Sequence, residues 1–198
     1  MPSFGNGVIG ASYGTTGNFI MGSWFTCPEN GLAVSISVYG YVSPATGRIK
    51  AAIYRLSDLA LIGVTEEGTG YEMPGVWATL NFLAPEPTLE LGVEYLLVAW
   101  STLFNFFGED EAGKGRHKPL PYDGWPNPLT GAVSNNRKLS IICNYTAGPA
   151  PTHMLRLAST PISVPVIVDG LSVGSTPVDL EVEEGLHSVE VPSEIEVI

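Results

Sequence analysis

The sequence predicts an all-β protein: a jelly-roll-like antiparallel β-sandwich over residues 1–147, a linker over 148–160 and a small acidic β-module over 161–198. Three observations carry this reading. Apolar residues recur with a period of two, as on a half-buried strand. The 23 glycines and 16 prolines fall between short apolar runs, where they act as turn punctuation. No segment shows the 3.6-residue apolar period of an amphipathic helix. With 44% hydrophobic and 15% charged residues, the 198-residue chain has material for a full-sized core plus a smaller unit.

The elements follow in order. The start, Met1-Pro2-Ser3-Phe4, has neither a basic nor an apolar leader segment. Either a leader has been removed, or the protein is made and assembled in the cytoplasm, as virion proteins are. Val34, Ile36 and Val38 alternate with Ser35, Ser37 and Tyr39, a strand. Pro44-Ala45-Thr46-Gly47 reads as a hairpin connection to a strand over 49–56. A short strand over 61–65 precedes one in which Val76, Ala78, Leu80 and Phe82 share a face. Pro85 and Pro87 end it, because proline cannot donate to a ladder. Residues 93–100 are almost continuously apolar, which suits a central strand covered on both faces. A strand over 103–107 follows. Residues 108–136 show no periodicity and read as a long loop, ordered by Pro119, Pro121, Pro126 and Pro128. Leu139, Ile141, Cys143 and Tyr145 mark another strand. Beyond Pro161 there are eight acidic residues and no Lys or Arg. That stretch carries apolar runs over 164–168, 178–182, 186–191 and 195–198.

Two resemblances emerge. Val168-Asp169-Gly170, Val173-Gly174-Ser175-Thr176-Pro177-Val178 and Glu184-Gly185-Leu186-His187-Ser188-Val189 are similar to the PEGA repeat, over about residues 162–191. PEGA modules are associated with surface display, and the resemblance implies no catalytic residue. Residues 1–146 resemble an uncharacterised sandwich domain of phage-like and archaeal surface proteins. That resemblance rests on Gly22-Ser23-Trp24-Phe25-Thr26, Lys50-Ala51-Ala52-Ile53-Tyr54, Trp125-Pro126-Asn127-Pro128 and Ser140-Ile141-Ile142-Cys143-Asn144-Tyr145, with their order and spacing. It implies a fold rather than an activity.

The net charge of −11 repels phosphate backbones and anionic membranes, and no apolar run approaches the ~20 residues that span a bilayer. Nucleic-acid binding and membrane insertion are therefore not expected. His117, His153 and His187 sit beside no nucleophile elbow, and there is no phosphate-cradling glycine loop. Consecutive Glu109, Asp110 and Glu111 are weak calcium candidates, and no other cofactor is indicated. Cys27 and Cys143 are either two small buried residues or a disulfide joining the first and last strands of the sandwich. Tyr122, Asp123, Trp125 and Asn127 supply the ring faces and polar groups of a glycan site; the alternative is that Trp125 plugs the sandwich edge and pins the loop.

The expected function is a non-catalytic structural or adhesive protein at a virion, extracellular or cell surface, partnered by copies of itself or other surface proteins. A carbohydrate-binding module of a larger secreted protein is the second reading, and a glycan-cleaving enzyme the third. Five of the nine basic residues lie between Lys114 and Lys138, opposite in the chain to the acidic tail, which suggests a head-to-tail subunit contact.

Overall fold

The computed structural model describes residues 1–42, 47–69, 75–149, 152–160, 162–183 and 186–192. The described residues form strands and turns with no helix. The chain divides into two compact units, Met1–Gly148 and Pro149–Ile198.

The first unit is an antiparallel β-sandwich. One layer is built on β4 (Gly31–Val42), flanked by β12 (Ile141–Ala147) with β1 (Ser3–Gly5) beyond it, and by β7 (Val76–Asn81) and β8 (Thr88–Leu89). The other runs β6 (Leu61–Thr69), β5 (Arg48–Arg55), β9 (Glu94–Ser101), β3 (Phe19–Thr26). Ile36, Val38, Leu80 and Ile141 of the first layer bury against Met21, Ile49, Ile53 and Leu97 of the second. Each such side chain contributes about 1.5–3 kcal/mol. At one edge the layers are stitched by a bridge between Thr65 and Phe82.

The connection expected at residues 44–47 falls largely outside the described residues. The strands that it joins do not form a hairpin. β4 pairs within one layer and β5 within the other.

The long loop expected over 108–136 is corrected. β10 (Phe104–Pro119) runs through its first part and β11 (Val133–Leu139) through its last, leaving a connection over 120–132. β10 ties the layers together. Phe104, Asn105 and Phe106 pair with Val42, Tyr41 and Gly40, while Gly115 to Pro119 pair with Ser23 to Phe19. Its first half also pairs with β2 (Ala11–Thr16). Gly40 is required at this crossing, since a Cβ there would stand 2.2 Å from both the Asn105 carbonyl oxygen and the Phe104 ring. Between Asp110 and Gly115 the β10–β11 register slips, which erases the period of two.

The second unit holds two small sheets. β13 (Thr152–Leu157) pairs with β16 (Val178–Glu183), and β14 (Pro165–Val168) lies between β15 (Leu171–Ser175) and β17 (Val189–Glu190). The 148–160 linker is thus shorter than expected, because residues 152–157 form a strand of the module. Val168 and Leu171 close a two-residue turn at Asp169 (φ 50°) and Gly170 (φ 78°), the left-handed pair that a tight hairpin requires. The apolar run at 195–198 lies outside the described residues.

Candidate functional site: the covered outer face of the sandwich

Successive side chains of a strand point to opposite faces, so an apolar run gives a sheet two apolar sides. In β9, Leu97 and Ala99 point into the sandwich core. Leu96, Val98 and Trp100 point outward and gather Ile20, Ala52 and Tyr54 into a second buried cluster. The 120–132 segment covers it. Leu129 is fully buried there, with Leu120, Tyr122, Trp125 and Ala132 packed around the same cluster.

The cover is pinned by hydrogen bonds from the sheet. Trp100 Nε1 donates to the Leu120 carbonyl (3.2 Å) and the Tyr54 hydroxyl to the Pro126 carbonyl (2.8 Å). Burial raises the Tyr54 phenol well above its usual range, so it stays a donor. The Leu61 amide donates to Asn127 Oδ1 (3.0 Å), and the Leu129 amide to the Leu59 carbonyl (3.0 Å). At the centre lies Lys50. Its ammonium stands 4.5 Å from the ring centres of Trp100 and Tyr122 and 5.3 Å from that of Trp125, and it donates to the Asp123 carbonyl. Desolvation lowers its pKa, opposed by the Glu67 and Asp123 carboxylates. Tyr122 also takes Arg48 over its ring at 5.1 Å and donates its hydroxyl to Glu67 Oε2 (2.8 Å).

Tyr122, Asp123 and Trp125, read from the sequence as glycan contacts, are thus brought together, but around a lysine of the same chain. Asn127 is engaged with Leu61. Trp125 stacks edge-on to Trp100 (centroids 5.2 Å) and Tyr54 (6.4 Å), as its plugging role implies. Its Nε1 is enclosed without an acceptor among the described residues. Lys50 was not singled out by the sequence reading. Its signal was a lysine alternating with Ala52 and Tyr54 in an otherwise apolar strand.

The calcium candidates do not converge. Glu109 and Glu111 lie within reach of Lys138 Nζ, at 4.0 and 2.8 Å, whereas Asp110 comes between them on an alternating strand. Among the described residues no three His, Cys, Asp or Glu side chains group to hold a metal. Cys27 and Cys143 are buried free thiols rather than a disulfide. Each donates to a nearby carbonyl, Cys27 to Glu29 (3.1 Å) and Cys143 to Asn144 (3.8 Å), and burial raises both pKa values. His117 Nδ1 meets Asn135 Nδ2 at 3.0 Å. A surface groove of about 460 Å³ is lined by Thr26, Arg55, Leu56, Ser57, Val93 and Glu94, with Arg55 engaged by Asp58 at 3.5 Å.

In the second unit His187 sits between two acceptors, Asp169 Oδ2 at Nδ1 and the Glu183 carbonyl at Nε2, each 2.6 Å away. Both ring nitrogens must donate, so the imidazolium fits best. Its pKa is raised, first by Asp169 and then by the Glu183 carbonyl. The Asp169 carboxyl is lowered by His187 and by the Ser188 amide (2.9 Å).

The fold is therefore that of a two-unit, all-β protein. Residues 152–195 match the PEGA domain, which takes in β13 as well as the expected repeat. No curated protein matches the chain.

Proposed function

We propose that this protein is a non-catalytic structural or adhesive component of a virion or cell-surface appendage, acting by self-association or attachment. The PEGA match over 152–195 carries the reading, because such modules are associated with surface display. The sandwich is compatible with it: the rings of Tyr122, Trp125 and Trp100 surround Lys50 of the same chain and hold the 120–132 cover to the sheet. The test is sedimentation velocity of the full chain across a wide concentration range, alongside a glycan array. Mass that rises with concentration, with no glycan retained, is the expected result. A monomer at every concentration that binds glycan, and loses it in Trp125→Ala, would replace this reading with a carbohydrate-binding module.

A further inference from the structure

The outer face of the β3–β9–β5 layer carries a concentration of cations unusual for a chain of net charge −11. In β10, Lys114, Arg116 and Lys118 occupy alternate positions. Lys118 pairs in register with Ile20, whose side chain joins the outer cluster, and Arg116 with Gly22. Lys114 stands 3.5 Å from the ring centre of Trp24. The three therefore line one side, about 6.7 Å apart along the strand. Their hydrogen-bond partners are neutral: Arg116 donates to the Gly113 and Gly115 carbonyls and Ser134 Oγ, and Lys118 to the Thr130 carbonyl. No ion pair among the described residues involves any of them. Glu111, which feels Lys114, is held by Lys138 at 2.8 Å.

The second unit carries the complementary stripe. In β16 the half-buried Val178, Leu180 and Val182 alternate with exposed Asp179, Glu181 and Glu183. Those carboxylates share one face of a two-stranded sheet, at the same spacing as the β10 cations. Arg156, opposite Asp179 at 3.7 Å, offsets part of this charge, and Glu181 also has a partner within the chain. Met154, opposite Glu181 and 68% exposed, adds an apolar side chain that suits the Trp24 ring beside Lys114.

We infer that copies of this chain join head to tail, the acidic β16 face of one seated on the Lys114–Arg116–Lys118 face of the next. The contact is heterologous, so it closes a ring or grows a filament. The inference rests on the self-association proposed above and names its surfaces.

The test uses two full-length variants, one carrying Lys114→Glu, Arg116→Glu and Lys118→Glu, the other Asp179→Lys, Glu181→Lys and Glu183→Lys. Each alone is expected to associate at least about tenfold more weakly than the parent, since three partly exposed ion pairs sum to about that factor. An equimolar mixture is expected to recover association, because every junction then joins opposite charges. Matching far-UV circular dichroism and melting of each variant to the parent guards against misfolding. If the parent associates and neither variant differs, the head-to-tail surfaces are wrong while self-association stands. If the mixture fails and only a single chain carrying all six changes recovers the parental behaviour, at every concentration, the two faces meet within one chain and the inference falls. If the parent never associates, the proposed function loses its self-association arm and this inference goes with it.

Discussion

Trp125 is where the covered face can be tested most sharply, because its ring and its N–H pull in opposite directions. The ring packs edge-on to Trp100 at 5.2 Å and Tyr54 at 6.4 Å, beside the Lys50 ammonium. Truncating a fully buried tryptophan costs roughly 3–5 kcal/mol; for the partly buried Trp125, about 2–3 kcal/mol is expected from Trp125→Ala. Its Nε1 is enclosed with no acceptor among the described residues, a state that costs about 1–3 kcal/mol. Trp125→Phe keeps a ring in the cage and deletes that donor. The smaller ring's lost contacts and the relieved donor offset each other, so its stability should lie within about 1 kcal/mol of the parent. The assay is urea unfolding read by tryptophan fluorescence. The remaining tryptophans, Trp24, Trp77 and Trp100, all lie in the sandwich, so the signal reports that unit. If Trp125→Phe loses as much as Trp125→Ala, the indole N–H is satisfied in solution and the accounting is wrong. If neither variant loses stability, Trp125 does not hold the cover.

Three further outcomes follow from the same structure. Cys27 and Cys143 are buried free thiols, so a thiol reagent should find none in the native chain and two after denaturation; none after denaturation would mean a disulfide. Stability contributed by the raised pKa of His187 is fully present below its ordinary 6.5 and is lost as pH rises through the raised value. That contributed by the lowered Asp169 is present above 3.8 and is lost as pH falls through the lowered value. Histidine NMR titration of the full chain should therefore give His187 an elevated pKa that Asp169→Asn returns toward 6.5; an unchanged value would remove the pair as its cause. Gly40→Ala should destabilise the sandwich by about 1–3 kcal/mol, because its Cβ meets the Asn105 backbone and the Phe104 ring, and a parental melting temperature would contradict that crossing.

Much of the sandwich was legible because its strands alternate: Ile36 and Val38, Ala78 to Phe82 and Leu139 to Tyr145 each put one face into the core, while Val34 and Val76 at the starts of their runs stay outside it. β10 was not. Its Glu109–Gly113 stretch is mostly exposed, so no alternation of burial marks it, and the slip between Asp110 and Gly115 breaks what period remains. The crossover after β4 was misread because turn residues report a reversal of the chain and not which layer receives it. The module boundary was misplaced because Thr152–Leu157 pairs with residues over twenty positions away, across Pro161 and Pro177.

At the candidate site the sequence left two readings open, a glycan platform or a pinned cover, because residue types alone do not say which way rings face. Tyr122, Asp123, Trp125 and Asn127 have the composition of a ligand platform, but β9 is apolar on both sides, so Leu96, Val98 and Trp100 demand a cover. The 120–132 segment, with Leu120, Tyr122, Trp125 and Leu129, meets that demand, and its rings face inward as a consequence. Lys50 then follows: a cation on that face must lie under the cover, where ring faces and the Asp123 carbonyl replace the water it loses. The aromatic residues are committed by the requirements of the sheet beneath them. The half-buried cations of β10 differ from Lys50 in this respect, since Arg116 and Lys118 are hydrogen-bonded by carbonyls and a hydroxyl at the strand itself and not enclosed by ring faces.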